Sequence, residues 1–144
     1  MTVYFDSSVI VAAYLPESNS PTAREWIQRP GFPFPFTPFH ALEVRNGIHL
    51  RQFRREISLA ENAEVLAALE ADLTAGVWAT TALPIAETLR VAQRLSALHT
   101  PSTGCRSLDL LHVASALTLA AKTFLTFDTR QRAVAQAEGL RVKS

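Results

Sequence analysis

Short apolar runs alternate with longer stretches of helical periodicity along the whole chain. Five runs have the length of one strand each: TVYFD, FPFPFT, VWATTA, TFLTF and LRV. The segments between them place apolar residues three to four positions apart, a spacing typical of helices that bury one face. Strands separated by helices predict a parallel sheet covered on both faces, which is an α/β fold class.

Proline, glycine and capping residues predict where the helices begin and end. The expected helices are 7–14, 21–29, one that begins at Pro38, 57–75, 84–99, 107–121 and 129–138. Residues 100–106, TPSTGCR, form the one clear loop. The FPFPF segment is unusual for a strand, because Pro33 and Pro35 have no amide to donate to a sheet and leave only about 34–37 usable.

Composition places the chain among ordinary globular proteins. With 144 residues, of which 48% are hydrophobic, the sequence predicts a single domain over residues 1–144. No apolar run approaches the roughly 18 residues of a membrane helix, and the N-terminus lacks the basic region and cleavage site of an export signal. The single Cys105 excludes an internal disulfide and a zinc site built from cysteines. These features predict a soluble, cytoplasmic protein.

The net charge of +1 does not by itself indicate a nucleic-acid-binding protein. The cations are nevertheless almost all arginine, 12 of 14, and arginine can bind phosphate through two parallel hydrogen bonds. Four of them fall within eleven residues: Arg45, Arg51, Arg54 and Arg55. This Arg45–Arg55 cluster is either a solvated helix face or a contact to phosphate or to a partner, and its sequence favours neither.

Four carboxylates occupy positions where solvent-exposed residues are not expected. Asp6 ends the first apolar run, and Asp128 ends the run TFLTF. Glu43 and Asp109 interrupt otherwise apolar helical segments, ALEVRNGI and SLDLLHVASAL. Ionised acids are rarely buried without a partner, and acids that converge repel each other. A cluster of this kind usually implies a divalent cation, so the pattern points to metal chemistry.

An α/β architecture can bring these acids together. Ligands of open parallel sheets bind beyond the carboxyl ends of the strands, where Asp6 and Asp128 are expected. Glu43 and Asp109 are expected in the first turns of helices, which begin at the same edge and favour negative charge there. The four acids would then form one site for Mg²⁺ or Mn²⁺, which take oxygen ligands.

Four blocks of the sequence resemble those of PIN-domain ribonucleases, and most of all the VapC-type toxins of type II toxin–antitoxin modules. The blocks are DSSVIVAAYLPE, ALEVRNGI, RSLDLLHVASAL and LTFDTRQRAVAQAEGLRV, each with its acid in place. They extend from the first strand to the last. The resemblance implies a three-layer α/β/α sandwich around a parallel five-stranded sheet, with the strands in the order 3-2-1-4-5 when numbered along the chain.

The same resemblance implies a metal-dependent endoribonuclease that cleaves RNA phosphodiester bonds with a carboxylate-bound metal and activated water. The positions carried over are, as metal ligands, Asp6, Glu43, Asp109 and Asp128, and, as supporting polar residues, Ser8 and Thr126. No catalytic position departs from the family pattern. An RNA substrate, a cognate antitoxin and a homodimer are the partners that the resemblance implies, and no membrane is among them.

Structural interpretations remain open for individual residues. Asp6 alone can be a helix cap, and Asp109 alone can be a first-turn acid that complements the helix dipole. His112 lies on the same helical face as Asp109, and a buried histidine satisfied by a neighbour is preferred to a metal ligand. For Tyr14 and Leu15, core packing is preferred to a partner groove.

Two other classes of function compete with the nuclease. A catalytically silent PIN-like domain would bind RNA or protein without cleaving, and the complete set of acids argues against it. A receiver-type phosphoryl-transfer domain would need a phosphorylatable aspartate after the third strand and a nearby lysine. The third strand ends in threonines instead, and Lys122 and Lys143 are the only lysines, so the sequence disfavours this class.

Overall fold

A computed structural model describes residues 2–143, in which five strands and seven helices follow one another. The strands are β1 (Val3–Phe5), β2 (Phe34–Phe36), β3 (Trp78–Thr80), β4 (Thr123–Leu125) and β5 (Arg141–Lys143). The helices are α1 (Ser7–Tyr14), α2 (Ser20–Gln28), α3 (Pro38–Phe53), α4 (Leu59–Ala75), α5 (Ile85–Thr103), α6 (Ser107–Thr118) and α7 (Thr129–Ala137). The predicted α/β class with parallel strands and intervening helices is confirmed.

The chain divides into two compact units, each with its own sheet. The first unit combines residues 2–6 with residues 82–143, so it contains β1, β4, β5 and the helices α5 to α7. The second unit is the continuous segment Ser7–Thr81, with β2, β3 and the helices α1 to α4.

The sheet of the first unit has the strand order β1-β4-β5, and both pairings are parallel. Phe5 lies opposite Leu125, and the amide of the next residue, Asp6, donates to the Leu125 carbonyl at 3.0 Å. The ladder therefore continues to the residue that carries the first acid. The side chain of Asp6 is thereby anchored to the carboxyl end of the sheet.

The core of the first unit packs α5, α6 and α7 around this sheet. Tyr4 and Phe124 lie side by side on β1 and β4 with their rings stacked 5.7 Å apart, and both are fully buried. Val113 of α6 and Val134 of α7 belong to the same cluster. Burial of one such side chain stabilises a fold by about 1.5–3 kcal/mol, so the apolar runs seen in the sequence suffice to place these elements.

The sheet of the second unit pairs β2 with β3 in parallel, with Pro35 opposite Ala79. The Phe34 amide donates to the Val77 carbonyl at 2.8 Å, and the Phe36 carbonyl accepts from Thr81 at 2.9 Å. Because the residues on either side of the proline make these bonds, the missing donor of Pro35 does not interrupt the pairing. The FPFPF segment is a strand for this reason.

Two helices of the second unit begin with reciprocal caps. At α3 the hydroxyl of Thr37 accepts from the His40 amide while the His40 ring accepts from the Thr37 amide. At α4 Ser58 and Glu61 make the corresponding pair of bonds. Both exchanges satisfy amides that a helix leaves without internal partners. The predicted end of α4 at Gly76 is confirmed, and this glycine has the left-handed conformation of a helix terminus.

The predicted loop at residues 100–106 is wrong, because α5 continues through Thr103. Pro101 lies near the end of this helix, where few further backbone bonds depend on its missing amide. The Thr103 hydroxyl donates to the His99 carbonyl at 2.8 Å, and the Gly104 amide donates to the Thr100 carbonyl at 2.8 Å. These bonds maintain the helix past the proline and reduce the loop to three residues.

The strand neighbours 1-4, 4-5 and 2-3 of the expected order are confirmed. A single five-stranded sheet in the order 3-2-1-4-5 and a single domain over residues 1–144 stay predictions. Within the part of the chain that the structure describes, no helix combines the length and the apolar composition needed to cross a membrane.

Candidate metal centre

Three of the predicted acids belong to the first unit and are arranged around the carboxyl end of its sheet. Asp6 directly follows β1, and Asp128 follows the neighbouring strand β4. Asp109 lies in the first turn of α6, as the sequence predicts. Because β1 and β4 are parallel neighbours, the residues that follow them emerge at the same edge.

Asp6 is the most deeply buried of these acids, with 6% of its surface exposed. Its Oδ1 atom accepts a hydrogen bond of 3.0 Å from the Nε2 atom of Gln131. One of its carboxylate oxygens and a ring nitrogen of His112 lie within 4.8 Å of each other. A buried carboxylate of this kind is costly unless hydrogen-bond donors or a cation compensate its charge.

The pKa of Asp109 is affected by the other two acids. Burial is the main cause that raises its pKa, and the hydrogen bond of 3.1 Å from Arg106 Nε opposes this rise. The negative charges of Asp6 and Asp128 raise the pKa of Asp109 further. Burial also raises the pKa of the Cys105 thiol to about 11, and the charges of Asp109 and Asp128 add to that rise. Asp109 is therefore close enough to Asp6 and to Asp128 for both charges to act on it.

Asp128 is also the N-cap residue of α7. Its Oδ1 atom accepts from the amides of Arg130 at 2.8 Å and Gln131 at 3.3 Å, and its Oδ2 atom accepts from the Arg130 guanidinium at 3.3 Å. Burial alone would raise the pKa of Asp128, but these hydrogen bonds together hold it below the ordinary value. The capping role considered for Asp6 at the helix that follows it stays a prediction.

Gln131 is a buried polar residue that contacts two of the acids and that sequence reasoning missed. It is fully buried beneath the acids, and its Nε2 atom donates both to Asp6 and, at 3.1 Å, to the main-chain carbonyl of Asp109. One signal was present in the sequence. The buried positions of α7 are Gln131, Val134 and Ala135, so a polar residue occupies a core position of the helical repeat.

The prediction that His112 is a buried histidine satisfied by a neighbour is confirmed. It is fully buried, and its Nδ1 atom shares a hydrogen bond of 2.8 Å with the hydroxyl of Tyr4. Its ring also lies near Asp6, as described above. The histidine thus links the aromatic core of the first unit to the acidic edge.

Glu43 and Ser8 belong to the second unit. Glu43 is half-buried and lies in the second turn of α3, so its expected place in the first turn of a helix is wrong. The helix begins at Pro38, and the favourable field of a helix N-terminus is confined to its first turn. Ser8 lies on an exposed position of α1.

The Arg45–Arg55 cluster is divided between ion pairs and solvent. Arg45 contacts Glu70 at 2.7 Å and lies over the ring of Phe36, while Arg51 bridges Glu17 and Glu56. Arg54 and Arg55 are exposed at the end of α3. Arg45 and Arg51 therefore make contacts within the fold. A contact to phosphate remains an interpretation for the exposed Arg54 and Arg55.

The second unit also has a cleft of about 410 Å³ that Tyr14, Asp72 and Phe32 help to line. The Tyr14 hydroxyl donates to the Asp72 carboxylate and accepts from the Trp78 indole at 2.7 Å. Burial, followed by the hydrogen bond to Asp72, raises the pKa of Tyr14 and keeps the hydroxyl neutral. Leu15 packs in the core, as predicted, whereas Tyr14 borders the cleft.

The donor set of the first unit fits a hard divalent cation. Asp6 and Asp109 offer carboxylate oxygens, which Mg²⁺ and Mn²⁺ prefer. Burial is the largest cause of the raised pKa of Asp109, and the charges of Asp6 and Asp128 add a repulsion that a cation would relieve. Asp128 fits less well as a direct ligand, because both of its oxygens already accept hydrogen bonds.

Parallel strands with intervening helices, and carboxylates at the carboxyl edge of the sheet, place the chain among α/β proteins whose ligand sites lie at that edge. Residues 3–137 match the model of the PIN domain family, described as "PIN domain". The chain therefore belongs to the PIN domain family, and the family predicted from its four acidic blocks is confirmed.

The fold is also found in a solved structure, FitAcB from Neisseria gonorrhoeae. The two structures superpose with a TM-score of 0.70 over 99% of this chain and 97% of the other, at 15% sequence identity. At this identity the similarity concerns the fold. No curated protein sequence matches this chain.

Proposed function

We propose that this protein is a metal-dependent endoribonuclease and the toxin of a type II toxin–antitoxin pair of the VapC type. The observation that carries the proposal is the placement of Asp6, Asp109 and Asp128 around the carboxyl end of one parallel sheet, where the Gln131 side chain joins Asp6 to the backbone of Asp109. Membership of the PIN domain family supports the same reaction. The activity would be exercised in the cytoplasm.

The proposed roles differ among the acids. Asp6 and Asp109 hold a Mg²⁺ or Mn²⁺ ion, and Glu43 supplies a further carboxylate, as the PIN resemblance implies. Asp128 contributes negative charge while it caps α7. Ser8 and Thr126 are proposed as supporting polar residues; the Thr126 hydroxyl accepts from the Asp128 amide at 3.0 Å.

The bound cation would supply Lewis-acid stabilisation of the phosphodiester charge and would lower the pKa of a nearby water molecule. The chain itself supplies the arrangement of acids and, beside them, the positively charged side chain of Arg106. The side chain of Arg106 is 71% exposed, and its Nε atom donates to Asp109. Its terminal nitrogens are proposed to bind a phosphate of the RNA backbone, which arginine binds well.

An RNA substrate, a cognate antitoxin and a homodimer complete the proposal. Support for a protein contact comes from α3, where Leu42, Leu50 and Phe53 are 71%, 39% and 83% exposed. Exposed apolar side chains grouped on one element often mark an interaction surface. The antitoxin itself is proposed from the family resemblance.

The proposal predicts that Asp6→Asn abolishes RNA cleavage while the fold is retained. We expect a loss of at least about 100-fold, because removal of a direct ligand should exceed the 10–100-fold typical of residues behind the ligands. The measurement is cleavage of a defined RNA with Mg²⁺ or Mn²⁺ and with EDTA, which should stop the reaction. Circular dichroism verifies folding.

Asp72→Asn is the matched control, because it makes the same exchange in the second unit and leaves an oxygen that accepts from Tyr14. It should cleave at the rate of the unaltered protein. Undiminished cleavage by Asp6→Asn would refute the assignment. Tight RNA binding without any cleavage would favour the catalytically silent PIN-like domain instead.

A further inference from the structure

Both the amide nitrogen and the amide oxygen of the Gln131 side chain make hydrogen bonds within the first unit. Its Nε2 atom donates to Asp6 Oδ1 at 3.0 Å and to the carbonyl oxygen of Asp109 at 3.1 Å. Its Oε1 atom accepts from the hydroxyl of Thr126 at 2.6 Å. One buried amide therefore joins the end of β1, the first turn of α6 and the residue that follows β4.

A relay of hydrogen bonds, from the Asp128 amide through Thr126 to Gln131, fixes the orientation of the Gln131 side-chain amide. The Asp128 amide donates to Thr126 Oγ1 at 3.0 Å, so the hydroxyl hydrogen of Thr126 is free to point at Gln131 Oε1. Reversal of the amide would place its oxygen against the oxygens of Asp6 and Asp109. The NH₂ group consequently faces the acids.

We propose that Gln131 is a positioning residue that holds the Asp6 carboxylate in the orientation required to bind a divalent cation. The inference rests on the proposed function, since it concerns the same metal centre. Gln131 restrains one oxygen of a carboxylate that is 6% exposed, and it fixes the backbone of a second acid. Ligands restrained in this way lose less freedom when a metal binds.

The position of Gln131 explains how α7 takes part in the site. The backbone amide of Gln131 donates to Asp128 Oδ1, while its side chain donates to Asp6. The same residue thus joins the helix cap to the buried acid. A small displacement of the start of α7 would move both.

The test compares the binding of Mn²⁺ alone to the full chain and to Gln131→Met, by titration followed by electron paramagnetic resonance without RNA. Methionine keeps the length and volume of the side chain and removes both hydrogen-bond donors. Metal affinity should fall about 10–100-fold, the usual effect of residues that hold metal ligands in place. Gln136→Met makes the same exchange at an exposed position of α7 and should leave the affinity unchanged.

A second pair of variants tests the relay without altering Gln131. Thr126→Val is isosteric and removes the hydroxyl that directs the amide, so Mn²⁺ affinity should fall. Thr126→Ser restores the hydroxyl and should restore the affinity. Thermal unfolding and circular dichroism of every variant show whether the fold is intact, and the Thr126 pair decides the question if Gln131→Met does not fold.

The outcomes separate this inference from the proposed function. If the unaltered chain binds Mn²⁺ and the folded Gln131→Met variant binds it equally well, the positioning role is overturned and the nuclease proposal stands. Equal affinities of Thr126→Val and Thr126→Ser would overturn the relay and the role together. A failure of the unaltered chain to bind Mn²⁺ would overturn both proposals.

Discussion

At the scale of single residues, Asp128 shows how one side chain can serve folding and chemistry together. Its carboxylate accepts from two amides at the start of α7 and from the Arg130 guanidinium, and its charge raises the pKa of Asp109. Capping requires an oxygen, whereas the electrostatic effect requires a negative charge. These two requirements can be separated by substitution.

We expect Asp128→Ala to lower the free energy of unfolding by about 0.5–2 kcal/mol, the usual cost of a lost N-cap. Asp128→Asn keeps a capping oxygen and should retain most of the stability. Urea unfolding of both variants at neutral pH provides the measurement. An equal loss in the two variants would show that the charge of Asp128, and not its capping oxygen, stabilises α7.

The acids were predictable from the sequence because a charge within an apolar run is conspicuous. Asp6, Asp109 and Asp128 were identified in this way, and the structure arranges them in one unit. Gln131 was not identified, because an uncharged amide resembles the many glutamines that face solvent. Its importance depends on partners as distant as Asp6, which only the tertiary structure brings within 3.0 Å.

At the scale of elements, the apolar runs predicted the strands well, while local bonding decided the ends of the helices. Four strands lie within the predicted runs, and β5 extends one residue beyond its run, to Lys143. The end of α5 was misplaced, because the hydroxyl of Thr103 and the amide of Gly104 satisfy carbonyls beyond the helix-breaking Pro101. Glu43 was misplaced by one turn, since its local pattern does not fix its distance from the helix start.

The end of α7 is joined to α5 by Glu138, whose carboxylate accepts from Arg94 at 2.7 Å and shares a hydrogen bond of 2.9 Å with His99. Burial alone would raise the pKa of Glu138. The hydrogen bonds with Arg94 and His99, together with their charges, hold its pKa below the ordinary value. The ionised form is therefore bound more strongly in the folded state.

A lowered pKa means that this stabilisation is complete above the pKa of Glu138 in the unfolded chain, about 4.3, and is lost as the pH falls through the lower folded value. Glu138→Gln should therefore be less stable than the parent at pH 7 by about 0.2–1 kcal/mol, the range of partly exposed ion pairs. The difference should vanish towards pH 3 in urea unfolding.

The exposed Glu64→Gln is the matched control and should not alter stability at either pH. A constant difference between Glu138→Gln and the parent from pH 7 to pH 3 would contradict the ionic origin of the effect.

At the scale of the whole molecule, each of the two units has its own parallel sheet. The alternation of strands and helices predicted parallel strands, whereas the strand neighbours were implied by the family resemblance alone. Which strands form one continuous sheet depends on contacts that no local pattern encodes. The acids likewise illustrate this limit, because Glu43 comes from a different unit than the other three.

A metal that binds the folded chain and not the unfolded chain must raise the stability of the whole molecule. At a Mn²⁺ concentration of 100 times the dissociation constant, the gain should be about 2.7 kcal/mol. For a chain of this length the unfolding temperature should rise by roughly 5–10 °C. Differential scanning calorimetry with Mn²⁺ and then with excess EDTA measures the rise and its reversal.

Asp6→Asn should show no such rise. An equal increase in that variant would mean that the metal binds elsewhere on the chain.

The hydrogen bond between Asp6 and Gln131 joins residues that are 125 positions apart. Ribosomes add about 5–20 residues per second, so roughly 6–25 s separate the synthesis of the two partners. The strand that carries Asp6 must wait for the strand beside it through the same interval, and pairings of such long range also form slowly. A truncated or still growing polypeptide therefore has no ordered acidic edge, and translation itself delays the moment at which Asp6 can take up its place beside Gln131.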